Sequence, residues 1–497
     1  MCSMVYYQGR APIFAMLGVC AMDLKKSKRL ILILAVIYWV FAIGIYAIAN
    51  EQFRYCAVTG EAPAGAFSIG EIVDGMEVRQ KFEVPADVVN GIEVYAGTYD
   101  RANTGSITFS LLDSQDSIVV QKTVDVSFLE NNKYTAISFD QELTLTPGDI
   151  LTLRVTTQGC SDGNAITVFA GSTVKAGEVA LRYAIDGQEA EGTLCIRLCG
   201  YDHLSFYSVY WIIVAVVFLA ACVYVAYCWK GALQGKSNPL VSVCTVYSRY
   251  SFLIKQLVSR DFKTKYKRSS LGMAWSFLNP LLTMSVQYVV FSTLFKSDIP
   301  NYPVYLLTGI IFFSFFNEAV TMGMGSITGN ASLIKKVYMP KYIYPVSRIL
   351  SSLVNFAFAL MPLFLVMIVT GTTFGPSMLL LIFDILCLLA FIIGMTLLLT
   401  TAMTFFQDTQ FLWSVVGMMW QYMTPVFYPE TIIPANILPL YRLNPMYQYI
   451  TFARTCIIDG ISPGPSAYFY CVISAVLVLL LGIVVFKKHQ NKFVLYL

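Results

Sequence analysis

Two stretches decide how this chain is read: RDFKTKYKRSSLGMAWSFLNPLL at residues 260–282 and ASLIKKVYMPKYIYP at 331–345. In the first, a basic amphipathic run meets an apolar segment at Leu271. Two long apolar segments lie between the stretches, and the chain turns back near Gly325. The second stretch is a short basic loop stiffened by Pro340 and Pro345. Neither has the makings of a catalytic pocket. Loops rich in Lys and Arg stay on the cytoplasmic side of a membrane. The pair therefore reads as two cytoplasmic handles, one on each side of a membrane hairpin.

Composition extends that reading to the whole chain. Of 497 residues, 57% are hydrophobic and 13% charged, about half the charged fraction of a soluble domain at roughly 25%. Charge is also segregated. Residues 50–205 carry 10 Lys/Arg against 22 Asp/Glu, a formal charge of −12, and the remainder carries 24 against 8, or +16. An acidic unit on one side of a membrane and basic loops on the other account for this division.

Taken in order, residues 1–29 form a cytoplasmic N-terminus with a short apolar run and then KKSKR; MDLKKSKR from Met22 also reads as a beginning. Residues 30–49 are long enough for one transmembrane helix. Residues 50–205 change character: about eight short runs, among them GIEVYAGTY, GSITFSLLD and ILTLRVTT, alternate apolar and polar residues between Gly, Asn, Asp and Pro. That pattern predicts an extracytoplasmic all-β sandwich or jelly roll. Tyr95, Tyr99, Tyr134 and Phe139 are its candidate rings for stacking on sugars. Cys56, Cys160, Cys195 and Cys199 permit two disulfides in three pairings, and at least one is expected to tie the two ends of the unit together.

Residues 206–229 form a second span, and 230–270 return to the cytoplasm as a loop and an interfacial helix. Nine Lys/Arg face one acidic residue, Asp261, over 230–268, and apolar residues from Tyr250 to Tyr266 recur at helical spacing. A basic amphipathic helix of this kind lies in the plane of the interface. GALQGKS at 231–237 is one residue short of a phosphate loop and follows a membrane helix, which excludes nucleotide binding there. Residues 271–497 hold six more spans, for about eight in all. A proline-rich segment at 428–465 has pieces too short to cross and is expected to be re-entrant at the outer face. The C-terminal KKHQNK places that end in the cytoplasm. No HExxH or paired CxxC occurs, and no cofactor or nucleic-acid partner is implied.

From about residue 240 onward the chain resembles the membrane subunits of ABC-2 type transporters, in the branch that exports polysaccharides such as O-antigens and teichoic acids. The first stretch is similar to that family's RDLKxRYKxSxLGxxWxxLxPL pattern. FFNEAV (315–320), SITGNASLIKKVYMPKYIYP (326–345), FFQDTQFLW (405–413), MTPVFYPETIIP (423–434) and LNPMYQYITFAR (443–454) follow in order. Gln407 stands where the family shows Arg, and residues 1–235 have no counterpart in the six-span unit.

The resemblance implies a transport subunit that is not itself an enzyme. It implies a homodimer in the plasma membrane, two separate ATPase subunits, and a lipid-linked glycan as cargo. Leu333, Lys335, Lys336, Tyr338, Pro340 and Lys341 are then expected to couple to the ATPase. Arg260, Asp261, Lys263, Tyr266 and Lys267 are expected to form an interfacial gate helix. Glu318 interrupts an apolar helix and is expected on the translocation path with Trp420, Tyr422, Phe427 and Tyr428; other aromatics, including Tyr288, Phe312, Phe313, Phe315, Phe316 and Trp413, are further candidates. Asp384 has no place in the family pattern. Export of a small hydrophobic compound, or a membrane-anchored glycan-binding assembly protein, are the alternatives.

Overall fold

The computed structural model describes residues 13–60, 63, 65–176, 179–233, 239–265, 271–272, 274–294, 301–336, 339–434 and 436–497. The chain forms two units. One comprises Met1–Gln52 with Ser208–Leu497, and the other is Phe53–Tyr207.

The second unit is the expected β-sandwich. A seven-stranded and a six-stranded antiparallel sheet enclose one core. In the first sheet, Val88–Gly97 pairs with Ile196–His203 and with Lys133–Thr144. In the second, Glu77–Glu83, Ile150–Gln158 and Ser106–Leu112 lie side by side. The alternation that marked these runs is the physical cause of the layer. Ile92 and Val94 point inward from one sheet, and Phe109, Leu111, Leu153 and Val155 from the other, all 0–1% exposed. Strands of two to five residues, such as Phe67–Ser68 and Thr193–Leu194, are too short to show a period, so fifteen strands stand among the described residues where about eight were expected. Phe139, read as a face residue, lies in the core.

The ends of the β unit are joined by a ladder in place of a disulfide. Tyr55–Thr59 pairs with Ile196–His203, Tyr55 opposite His203 and Thr59 opposite Cys199. Cys56 stands opposite Asp202, three positions along the ladder from Cys199, or about 10 Å. A disulfide needs Cα atoms within about 7 Å. All four cysteines are free thiols, and burial pushes Cys195 up to about 11. Denatured, unreduced protein is therefore expected to take up alkylating agent at all four positions, read by mass spectrometry of the peptides. A cross-linked peptide pair would contradict this.

The helical unit contains α1 (Ile13–Arg54), α2 (Phe206–Leu233), α3 (Pro239–Lys265), α4 (Ala274–Leu294), α5 (Tyr302–Met324), α6 (Ala331–Lys336), α7 (Ile343–Thr370), α8 (Leu381–Phe405), α9 (Thr409–Tyr422), α10 (Leu438–Arg442), α11 (Pro445–Arg454), α12 (Pro465–His489) and α13 (Phe493–Tyr496). The first expected span is the C-terminal part of one continuous 42-residue helix. Six segments among the described residues are long and apolar enough to cross a membrane: 31–54, 206–231, 302–324, 343–370, 376–405 and 465–496.

Two expected spans fall outside that set. α4 carries Pro280 within a polar run of Asn279, Thr283, Ser285 and Gln287. α9 has 14 residues, about 21 Å of helix, against a hydrocarbon core of about 30 Å. The α5 segment is the hub, with 72% of its most apolar window buried inside the protein; it packs against α4, α7, α8 and α11. α8 and α12 touch backbone to backbone, since a Cβ on Gly482 would stand 2.3 Å from the Gly394 carbonyl oxygen. Small residues give membrane helices this approach because lipid supplies no hydrophobic drive for their association.

Candidate functional site

Polar residues on one side of α5 and α7 meet the end of α3 around a charged cleft. Asp261, 7% exposed, is the centre of one half. Its carboxylate lies 3.1 Å from Arg260 and 3.1 Å from Arg348 of α7. Two guanidinium groups are what permits a carboxylate at that depth, because an unpaired buried charge is strongly unfavourable. Phe262 stacks on Phe358 at 5.9 Å beside this pair. α3 is thereby docked on α7 by an ion pair and a ring stack.

Glu318 is the centre of the other half. Its Oε1 accepts from Lys265 Nζ at 2.7 Å and from Asn355 Nδ2 at 2.8 Å. Glu318 and Lys265 border two cavities. One, of about 360 Å³, lies among α4, α5 and α7 and is lined by Trp275, Asn279, Thr283 and Phe315. The other, of about 580 Å³, is lined by Arg260, Asp261, Asn330 and Arg348. Of the expected gate residues, Arg260, Asp261 and Lys263 are on α3; Tyr266 and Lys267 lie outside the described residues.

The expected coupling residues divide by exposure. Lys335 and Lys336 project from α6 into solvent, and Leu333 turns inward onto a cluster with Tyr344, Leu397, Phe486 and Phe493. Pro340 is half-buried. Lys341 points to the C-terminal end: its ammonium donates to Gln490 O at 2.5 Å and lies 5.9 Å from the Phe493 ring. Burial lowers its pKa. Lys341 therefore holds the loop from within. Tyr338 lies outside the described residues.

The expected path aromatics also divide. Phe312, Phe313, Phe315 and Phe316 are at most 3% exposed. Phe312, Phe313 and Phe316 are core, Phe316 meeting Trp420 at 5.2 Å, whereas Phe315, stacked on Phe356 at 4.5 Å, is also on the wall of the 360 Å³ cavity. Phe427 is buried against Phe291, with parallel rings at 5.8 Å, so it packs rather than lines a space. Tyr422 is exposed, and its carbonyl accepts from the half-buried Tyr428 hydroxyl at 2.8 Å. Trp420 borders a third, apolar cavity of about 430 Å³ between α9 and α10, and its indole donates to Asn444 Oδ1 at 2.8 Å. Asp384 is fully buried in α8 with both oxygens unbonded among the described residues, and it lines none of these three cavities.

Arg454 is the residue whose weight sequence reasoning missed. The residue is 7% exposed. It donates to Pro425 O at 2.7 Å, Val426 O at 2.9 Å and Tyr305 O at 3.1 Å, and it sits 3.4 Å over the Tyr305 ring. One side chain thus ties the broken turn after α9 to α5. Its signal was present: a lone Arg ends the apolar amphipathic run PMYQYITFAR, where a charge persists only with partners.

A family model described as ABC-2 type transporter matches residues 252–458, from within α3 to the turn after α11. The chain is 30% identical over 252 residues to the O-antigen export system permease protein RfbA of Myxococcus xanthus, covering 49% of this chain and 95% of that protein. It is 28% identical over 251 residues to the O-antigen export system permease protein RfbA of Klebsiella pneumoniae, covering 48% and 93%. It is 22% identical over 249 residues to the polysialic acid transport protein KpsM of Escherichia coli, covering 48% and 93%.

Proposed function

This chain belongs to the ABC-2 type transporters, and from that premise we propose that it is the membrane subunit of a pump exporting a lipid-linked surface polysaccharide, driven by ATP hydrolysis in a separate subunit. The observation that carries the reading is the match over 95% of the length of an O-antigen export permease. The chain is a multi-pass membrane protein and a transport subunit rather than an enzyme. Two copies would pair with two ATPase subunits. The face of α9 supports pairing, since Phe411, Leu412, Val415, Met418 and Tyr422 are all 58–70% exposed, a wide apolar surface for a second copy or lipid to cover. Both termini and the α3 and α6 handles would lie in the cytoplasm, with residues 50–205 outside.

In this reading the charged cleft is the cytoplasmic entrance. The Asp261–Arg348 and Lys265–Glu318 pairs latch α3 across α5 and α7, and entry of cargo requires that latch to open. Asp261→Ala leaves the guanidinium groups of Arg260 and Arg348, 48% and 26% exposed, without their shared carboxylate, so α3 loses its charged tie to α7 while water still reaches both cations. Export by this variant is expected to fall at least tenfold, while the swap Asp261→Arg with Arg348→Asp restores part of it. Equal loss in both would sink the latch.

The function itself is tested in proteoliposomes holding this protein, its ATPase subunit and a radiolabelled undecaprenyl-linked polysaccharide. The expected result is ATP-dependent transfer of label to the opposite face, with no hydrolysis by this protein alone. Hydrolysis without the ATPase subunit, or ATP-driven efflux of small hydrophobic dyes with no glycan movement, overturns the reading.

A further inference from the structure

The export reading leaves the β unit without a task, yet one face of its seven-stranded sheet is built unlike the rest. Inward positions of Val88–Gly97 are aliphatic; Glu93 and Tyr95 occupy outward ones. Tyr95 stands directly opposite Tyr134, and Glu93 opposite Arg197. The rings of Tyr134, Tyr95 and Phe169 form a continuous row with centroids 5.0 Å apart at each step. The Arg197 guanidinium lies 4.2 Å over the Tyr134 ring and 2.8 Å from the Glu93 carboxylate.

The arrangement occurs a second time beyond Phe169. Ser68, paired with Phe169, contacts the hydroxyls of Thr167 and Tyr99 at 2.8 and 3.1 Å. Arg101 lies 4.8 Å over the Tyr99 ring and is ion-paired with Glu71. Tyr99 and Asp100 both hold φ near +55° to +58°, a left-handed conformation that L side chains rarely adopt. Asn131 fixes it, accepting from Thr98 N at 2.8 Å and donating to Asp100 at 2.6 Å. Backbone strain is thus maintained where it presents a ring that is 43% exposed.

We propose that this face binds a neutral saccharide chain, with Tyr95, Tyr134, Phe169 and Tyr99 as stacking surfaces and the Arg197–Glu93 and Arg101–Glu71 pairs as partners for sugar hydroxyls. Sugar rings offer one apolar face and a rim of hydroxyls. Flat aromatic groups cover the first, and planar guanidinium and carboxylate groups take the second two at a time. Charge selects the class. Each arginine is already neutralised by its glutamate, and the unit carries −12, so an anionic polymer meets repulsion and a neutral one does not. The proposal goes beyond the export reading, and it names the exported glycan as the saccharide this face would meet.

The test is calorimetric titration of the full-length protein in lipid nanodiscs, without ATPase subunit or ATP. The probes are neutral hexasaccharides of glucose, mannose, galactose, rhamnose and N-acetylglucosamine, and a hexasaccharide of hyaluronan as the anionic control. At least one neutral probe is expected to bind, and Tyr95→Ala and Tyr134→Ala each weaken it tenfold or more. Tyr134→Phe, which keeps the ring, holds the affinity within about twofold. No binding by any neutral probe, equal binding by the Tyr95→Ala/Tyr134→Ala double variant, or tighter binding of the anionic control overturns the proposal. Since no step uses ATP, failure here leaves the proteoliposome result standing, and the reverse holds equally.

Discussion

Replacement of Arg454 by Met is expected to abolish export and to lower the yield of folded protein sharply. The guanidinium is the shared donor for three main-chain carbonyls, of Tyr305, Pro425 and Val426. Methionine fills similar volume but donates nothing, so Val426 O loses its donor, while Pro425 O keeps only the Tyr305 hydroxyl at 3.4 Å and Tyr305 O only its bond within α5. The orphaned acceptor costs about 1–3 kcal/mol and each of the two lost bonds about 1 kcal/mol, and the total, roughly 3–5 kcal/mol, is a large part of a typical folding free energy. Lysine is expected to rescue only partly, because one ammonium lacks the planar fork that reaches both segments. Gly309→Ala tests the same contact from the other side. Its Cβ would stand 2.7 Å from Arg454 Nη2 and 3.1 Å from the Val426 side chain, forcing the guanidinium out of place. Thermal unfolding in detergent and surface-polysaccharide quantification read both variants. A wild-type melting temperature for Arg454→Met would show that the turn after α9 is held by something else.

Reversal of charge at α6, Lys335→Glu with Lys336→Glu, is expected to separate transport from hydrolysis. Both side chains are exposed, so the cost to folding is within about 0.5 kcal/mol each and the protein should insert normally. On the proposed reading α6 faces the ATPase subunit, and each reversal would turn attraction into repulsion over a range of about 8–10 Å. Export is expected to fall at least tenfold. ATPase activity of the assembled complex should lose its dependence on cargo, or the complex should fail to co-purify. Lys341→Glu should differ: its ammonium is held by Gln490 O and lies near Phe493, so this variant loses folded protein first. Normal export by the double reversal at 335 and 336 would remove α6 from the coupling interface.

Much of this architecture was legible in local pattern. The alternation of the β runs, the length of the apolar segments and the placement of Lys and Arg each depend on residues within a few positions of one another. The family motifs are equally local strings. The misses share a cause as well. Phe139 and Phe427 are large apolar residues, and a sequence does not say which side of an element will be covered. Cys56 and Cys199 lie near the two ends of the β unit, as a bridge would require, but the register of the terminal ladder sets them about 10 Å apart. α9 reads as part of a longer apolar run, and its end is set by the turn at Thr424 and Pro425 that Arg454 holds.

The sequence by itself determined that the chain is a membrane protein with an acidic β unit between its first two spans, and which family its second half belongs to. These follow from hydrophobicity, periodicity and charge, which act over a few residues at a time. Tertiary structure decided the pairings: Lys265 with Glu318 across 53 residues, Arg454 with Tyr305 across 149, and the row of Tyr134, Tyr95 and Phe169 from three strands. Such contacts depend on which faces meet when helices and strands pack, and close packing selects among many partners of similar chemistry. A buried charge or a stacked ring acquires its role only from that selection.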